Sequence, residues 1–122
     1  MKKILLADDD PNVRLLVSAT LRSEEYELIE ASTGEETLAL ARSDHPDLVL
    51  LDIAMPRIDG FEVCKNLKSD PETKDIRVLM LTARTQDAER RRGNEVGADG
   101  YFTKPFSPLA LLRKIGEILG EP

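Results

Sequence analysis

Short aliphatic runs alternate with helical patterns along the 122-residue chain, and this alternation restricts the fold more than any other feature. The clearest run, Leu48 to Leu51, contains no polar residue and is typical of a strand buried on both faces. Shorter or more polar segments predict the remaining strands, Lys3–Ala7, Tyr26–Ala31, Ile76–Leu81 and Tyr101–Thr103. The second of these is half polar, which is typical of an edge strand.

Between and after these strands, apolar residues recur at the spacing of an amphipathic helix. Helices are predicted over residues 11 to about 24, 34–42, 61–67, 86–96 and 108–119. In the first helix the apolar positions at this spacing are Val13, Leu16, Val17 and Leu21, with Thr20. In the last helix an apolar stripe contains Leu109, Leu112, Ile115 and Leu119, with Leu111 and Ile118 alongside. Strict strand–helix alternation favours an α/β fold: a doubly wound, flavodoxin-like, five-stranded parallel sheet, order 2-1-3-4-5, with helices on both faces.

The composition of the chain excludes several classes of function. The length predicts one domain over residues 1–122, and 41% hydrophobic residues can fill its core. The net charge of -6 and the scarcity of aromatic residues argue against direct nucleic-acid binding. Cys64 is the only cysteine, which excludes an internal disulfide and a cysteine metal cluster, and His45 is the only histidine. No apolar run is long enough to span a membrane, and the start of the chain reads as a buried strand of a cytoplasmic protein.

Charged and hydroxyl residues follow the predicted strands directly. Strand one ends in three aspartates (8–10), strand three in Asp52, strand four in Thr82 and strand five in Lys104. The carboxyl ends of parallel strands meet at one sheet edge, where ligands bind in open α/β folds. Clustered carboxylates remain ionised together only near cations, and hard oxygen ligands suit Mg²⁺. The predicted site therefore holds a metal and a phosphate-sized anion, with a carboxylate as its best nucleophile.

The residues alone leave open which of the three aspartates bind metal, because Asp10 can instead cap the first helix at Pro11. Five segments, however, occur together in a known order: DD (8–9), LDIAMPRIDG (51–60), LTA (81–83), GADGY (97–101) and KPF (104–106). In these segments the sequence resembles the receiver domain of two-component response regulators over essentially its whole length.

The resemblance implies a phosphorylation switch rather than a metabolic enzyme. Asp52 would accept a phosphoryl group from the phosphohistidine of a sensor histidine kinase or phosphotransfer protein. Asp9 and Asp52 would bind Mg²⁺ directly, with the backbone carbonyl of Ala54, and Asp8 would reach the metal through water. Phosphoryl transfer depends mostly on positioning and charge neutralisation, which such a site supplies.

Further roles are implied by the same resemblance. Thr82 and Lys104 would hold the phosphoryl oxygens, with a cis bond between Lys104 and Pro105. Thr82 and Tyr101 would form the switch. The fourth helix, fifth strand and fifth helix would then signal to an effector protein or domain, or form a homodimer, although Gly100 replaces a common acidic residue there. Side chains at Ala54 and Arg84 would tune the phosphoryl lifetime.

Three other classes of protein agree less well with the sequence. An aspartyl-phosphate phosphatase would need an acid/base aspartate two residues after its nucleophile, where this chain has Ala54. A flavodoxin-like cofactor carrier would need a hydroxyl- and glycine-rich loop after strand one, where three aspartates would repel the phosphate. A degenerate receiver used only for binding would not need Asp9, Asp52 and Lys104 together. The sequence leaves open whether the domain acts alone or within a longer regulator.

Overall fold

The strands form one parallel sheet in the order β2-β1-β3-β4-β5, as predicted. The computed structural model describes residues 2–22, 26–55, 57–82, 95–103 and 107–120. The strands are β1 (Lys2–Ala7), β2 (Tyr26–Ala31), β3 (Leu48–Asp52), β4 (Arg77–Thr82) and β5 (Gly100–Thr103). The helices within these ranges are α1 (Pro11–Arg22), α2 (Gly34–Asp44), α3 (Gly60–Ser69) and α4 (Pro108–Leu119).

Most of the helix predicted over residues 86–96 lies outside the described ranges, so the C-terminal helix is labelled α4. Arg84, Lys104 and Pro105, to which the sequence assigns roles, lie outside these ranges as well. No helix in the described parts of the chain is both long and apolar enough to cross a membrane.

Burial explains why β3 lies at the centre of the sheet. All five of its residues are buried, as the unbroken aliphatic run predicts, whereas β2 at the edge is mostly half-buried or exposed. Alternate side chains of β3 enter two separate hydrophobic clusters, one on each face. One cluster contains buried residues of α2 and α3, and the other contains buried residues of α1 and α4. The predicted double winding is therefore confirmed.

The helix ends follow the local sequence. Thr33 caps α2 by accepting a hydrogen bond from the Glu36 amide, and Ser107 caps α4 in the same way before Pro108. In α3 the cap is Asp59, whose carboxylate accepts from the Glu62 amide.

Two residues of the predicted apolar stripes are exposed. Leu16 on α1 is 41% exposed and Leu109 on α4 is 59% exposed. Helical spacing selects an apolar stripe, but only the part of the stripe that faces the sheet is covered. On α4 the buried positions are Leu111 and Ile115.

Candidate functional site

Asp8 and Asp52 stand at the ends of two neighbouring strands. In the β1–β3 register Ala7 lies opposite Leu51, so the next residues on the two strands are these two aspartates. Asp8 is fully buried and Asp52 is 6% exposed. Two carboxylates are therefore held close together where little water can screen them.

A third carboxylate completes an acidic cluster of Asp8, Asp9 and Asp52. One carboxylate oxygen from each residue lies within 4.8 Å of the others, and Asp9 is exposed to solvent. Oxygens on one Mg²⁺ lie about 2.0–2.1 Å from the ion, and the ion usually keeps several waters. Three carboxylates at this separation, one of them open to solvent, fit an ion that is bound partly through water. The donor set is thus suited to Mg²⁺.

The loop after β1 separates Asp10 from this cluster. The Asp10 carboxylate accepts a hydrogen bond from the Asn12 amide at 2.9 Å, which caps the start of α1. The Asp10 amide in turn donates to Oδ1 of Asp8 at 2.9 Å. Of the three aspartates in this run, the structure brings Asp8 and Asp9 to Asp52 and uses Asp10 as a cap.

Arg14 of α1 supports the same loop through its main chain. Its Nη1 donates to the carbonyl oxygen of Asp8 at 2.6 Å, and its Nε lies 3.9 Å from a carboxylate oxygen of Glu30 on β2. The Asp8 amide donates to the Ala31 carbonyl at 3.1 Å. The loop is therefore tied to both α1 and β2, and the guanidinium places a positive charge beside the acidic cluster.

The chain beyond β3 is also fixed by main-chain contacts. The Ile53 amide donates to the Leu81 carbonyl at 3.1 Å, and the Ile53 carbonyl accepts from the Gly60 amide at 2.9 Å. The Ala54 amide donates to Oδ1 of Asp52 at 3.3 Å. Asp52 is thus bracketed by β4 on one side and by the start of α3 on the other.

Thr82 and Tyr101 share one face of the sheet. Thr82 pairs with Thr103, and Tyr101 pairs with Met80, so alternation places Thr82 and Tyr101 on the same side, two positions apart along the strands. Thr82 is 5% exposed, and Tyr101 is half-buried against the cluster that contains Met80. A hydroxyl at the sheet edge and an aromatic ring behind it are the two parts that the predicted switch requires.

The contacts of Arg14 and Gly60 with the main chain near the site were not predicted from the sequence. Arg14 donates to the Asp8 carbonyl, and Gly60 donates through its own amide to the Ile53 carbonyl, so neither adds a carboxylate or hydroxyl that a motif search would select. A basic residue in the first turns of the helix after an acidic loop is the only signal for Arg14. The glycine at the first position of α3, where Ala is the better helix former, is the signal for Gly60.

The geometry defines a class of protein: a doubly wound domain with an acidic centre at the carboxyl ends of β1 and β3. Residues 4–116 match the profile of the response regulator receiver domain. The chain belongs to this family of two-component signalling domains.

Solved structures agree with the assignment. The chemotaxis protein CheY4 of Vibrio cholerae is 36% identical with a TM-score of 0.93, over 97% of this chain and 98% of that one. The receiver domain of the sensor histidine kinase PA1611 of Pseudomonas aeruginosa is 25% identical with a TM-score of 0.90, over 98% of both chains. That structure is described with a magnesium ion coordinated in the active site cleft.

Curated relatives are transcriptional regulators. The probable transcriptional regulator ycf27 of Cyanophora paradoxa is 42% identical over 97% of this chain and 48% of its own length. The DNA-binding dual master transcriptional regulator RpaA of Synechocystis is 43% identical over 98% of this chain and 49% of its own length. The chain therefore spans about half the length of these relatives.

Proposed function

We propose that residues 1–122 form one receiver domain that accepts a phosphoryl group on Asp52 and acts as a signalling switch. The observation that carries the proposal is the acidic cluster, in which three carboxylates lie within 4.8 Å at the ends of β1 and β3. Of the three, Asp52 is the one that lies next to β4, whose last residue is Thr82. This neighbour makes Asp52 the carboxylate best placed to receive an anion.

The transfer forms one bond and breaks one. A carboxylate oxygen of Asp52 bonds to phosphorus as the bond from phosphorus to the donor histidine nitrogen breaks, and the electron pair stays on the imidazole. Thr82 donates its hydroxyl to a phosphoryl oxygen, and Lys104 supplies a positive charge to the same group. Asp8, Asp9, Asp52 and the Ala54 carbonyl would hold Mg²⁺, which neutralises phosphoryl charge when bound.

The switch follows from new hydrogen bonds to the phosphoryl group. A few charge-assisted bonds are enough to rebalance two states that differ by a few kcal/mol. Thr82 moves toward the phosphoryl oxygens, and Tyr101 moves inward behind it. The signal reaches an effector protein or domain, or a second copy of the chain, through the predicted fourth helix, β5 and the C-terminal helix α4. The phosphodonor is a sensor histidine kinase or a phosphotransfer protein, and the domain acts in the cytoplasm.

The residues two positions beyond Asp52 and Thr82, which are Ala54 and Arg84, tune the lifetime of the phosphoryl group. Ala54 is exposed and has no side chain with which to orient water. The hydrolysis rate should therefore depend on Arg84. Phosphoryl decay in Arg84→Ala at the wild-type rate would remove this part of the proposal.

Intact mass after incubation with a small acyl phosphate and Mg²⁺ tests the proposal. The wild-type protein should gain one phosphoryl group, and the gain should be lost in Asp52→Asn and in the presence of a chelator. Asp10→Asn is the matched control, because Asp10 belongs to the same acidic run but caps α1. Phosphorylation that persists in Asp52→Asn, or that needs no metal, would contradict the mechanism.

A further inference from the structure

Gly60 opens α3 directly against the main chain of Asp52. A Cβ at this position would overlap the Asp52 carbonyl oxygen and would lie 2.8 Å from the Ile53 Cα. Both atoms belong to the main chain, so no rotation of a side chain can relieve the overlap. Gly60 is not one of the described glycines with positive φ, which are Gly97 and Gly120. The position therefore needs glycine for space rather than for backbone conformation.

Both crowded segments are fixed in place. The start of α3 is anchored by its Asp59 cap and by a row of buried residues, Gly60, Phe61, Val63, Cys64 and Leu67. Asp52 is the last residue of the buried strand β3, and beyond it the main chain is held to β4 by the bond from the Ile53 amide to the Leu81 carbonyl. A side chain at position 60 would therefore press directly on the main chain that carries the Asp52 carboxylate.

We infer that Gly60 is a positioning residue for the phosphoacceptor. Because Gly60 has no side chain, the start of α3 can pack closely against the main chain of Asp52. This close contact sets the distance of the Asp52 carboxylate from Asp8 and Asp9. The inference rests on the proposed function of Asp52. It adds that the phosphorylation rate and the Mg²⁺ affinity depend on a steric contact behind the site. Mg²⁺ requires near-ideal octahedral geometry, so small displacements of one ligand matter.

Gly34 provides a matched control at the start of α2. It is also buried and first in its helix, and a Cβ there would lie 2.9 Å from Val63 Cγ2 and 3.0 Å from Ile58 Cβ and the Ile58 carbonyl oxygen. Gly34→Ala therefore crowds the far part of the connection between β3 and α3. Gly60→Ala crowds the near part, at Asp52.

The experiment compares Gly60→Ala with Gly34→Ala in the full chain. Phosphorylation rates are measured by intact mass with a small acyl phosphate over a range of Mg²⁺ concentrations. Both variants should lose several degrees in Tm because both overpack a tight contact. Gly60→Ala should be phosphorylated about 10- to 100-fold more slowly and should need more Mg²⁺, since a displacement near 1 Å can cost about 100-fold in rate. Gly34→Ala should keep the wild-type rate and Mg²⁺ requirement.

A second readout covers the case in which Gly60→Ala is only marginally folded. Mg²⁺ raises the Tm of a protein that binds it only when folded, so the rise in Tm with Mg²⁺ measures affinity in a destabilised variant as well. This rise should be smaller in Gly60→Ala than in Gly34→Ala. A wild-type rate and an undiminished rise in Tm in Gly60→Ala would overturn the inference, as would equal losses in the two variants. Failure of the wild-type protein to be phosphorylated would instead count against the proposed function. The Tm comparison would still test whether the contact between Gly60 and Asp52 affects Mg²⁺ binding.

Discussion

The guanidinium of Arg14 donates a hydrogen bond to the main-chain carbonyl of Asp8, 2.6 Å away, without using a carboxylate oxygen of the acidic cluster. The same side chain is only loosely paired with Glu30, at 3.9 Å. Arg14 therefore supports the shape of the loop that carries Asp8 and Asp9, while the carboxylate of Asp8 still faces its neighbours in the cluster.

Removal of this contact should destabilise the protein more than removal of its ion pair. Arg14→Ala is expected to lower the free energy of unfolding by about 1.5–3 kcal/mol, the usual range for a hydrogen bond from a charged group. Glu30→Gln should cost less than about 1 kcal/mol, because the pair is long and partly exposed. Urea denaturation measures both values. Equal losses in the two variants would show that the ion pair, rather than the carbonyl contact, holds the loop.

Thr82 should be required for any movement of Tyr101. The chain has two tyrosines and no tryptophan, so in a Tyr26→Phe background the tyrosine fluorescence comes from Tyr101 alone. Addition of Mg²⁺ and beryllofluoride, an analogue of the acyl phosphate, should change this fluorescence. Thr82→Ala should abolish the change, because in the proposed switch the Thr82 hydroxyl couples the anion to the aromatic ring.

Thr103→Ala is the control for this measurement. Thr103 is the register partner of Thr82 on β5 but is exposed. The fluorescence change should survive in Thr103→Ala. An undiminished change in Thr82→Ala at saturating beryllofluoride would contradict the coupling.

His45 should limit stability through its backbone conformation. It ends α2 with φ 47° and ψ 61°, a left-handed conformation that is strained for a residue with a Cβ. His45→Gly is expected to raise the free energy of unfolding by about 0.5–1 kcal/mol. This gain is the backbone strain that is relieved minus the extra conformational entropy that glycine loses on folding. His45→Ala keeps the strain and should give no gain. A gain of the same size in both variants, measured by thermal denaturation, would assign the effect to loss of the imidazole.

Cys64 should be unreactive in the folded protein. Burial raises the pKa of its thiol to about 11, with Lys68 opposing the rise and Asp99 adding to it. Only the thiolate is alkylated, so the native rate with iodoacetamide should be very low at pH 8 and should rise about tenfold per pH unit toward pH 11. In urea the rate should be half-maximal near pH 8.5, the ordinary pKa of cysteine, and should level off above it. An inflection near pH 8.5 in the native protein would contradict the buried thiol.

The sequence was sufficient to predict the sheet because the aliphatic runs alternate with helices that cover both faces of the sheet. The unbroken run before Asp52 predicted a strand buried on both faces, the half-polar run at Tyr26–Ala31 predicted an edge strand, and both predictions are confirmed. The sequence was less informative about which residues of each helix are buried. Leu16 and Leu109 satisfy helical spacing but extend beyond the part of the sheet that covers their helices.

The hydrophobic pattern of the sequence also could not predict which polar residues are buried in the core. Thr37 and Thr73 are buried because their hydroxyls donate to main-chain carbonyls of Thr33 and Leu67, each at 2.7 Å. The contacts of Arg14 and Gly60 could not be predicted for the same reason. Their contacts are with main-chain atoms, whose positions depend on the completed fold rather than on the identity of any neighbouring side chain.

The identity of the phosphorylated residue tests the central claim most directly. Borohydride reduces an aspartyl phosphate to homoserine, so treatment of the phosphorylated wild-type protein followed by peptide mass mapping marks the acceptor. Homoserine at position 52, formed only when Mg²⁺ is present during phosphorylation, is the predicted result. Homoserine at position 8 or 9, or a phosphorylated protein that yields none, would contradict the assignment of Asp52.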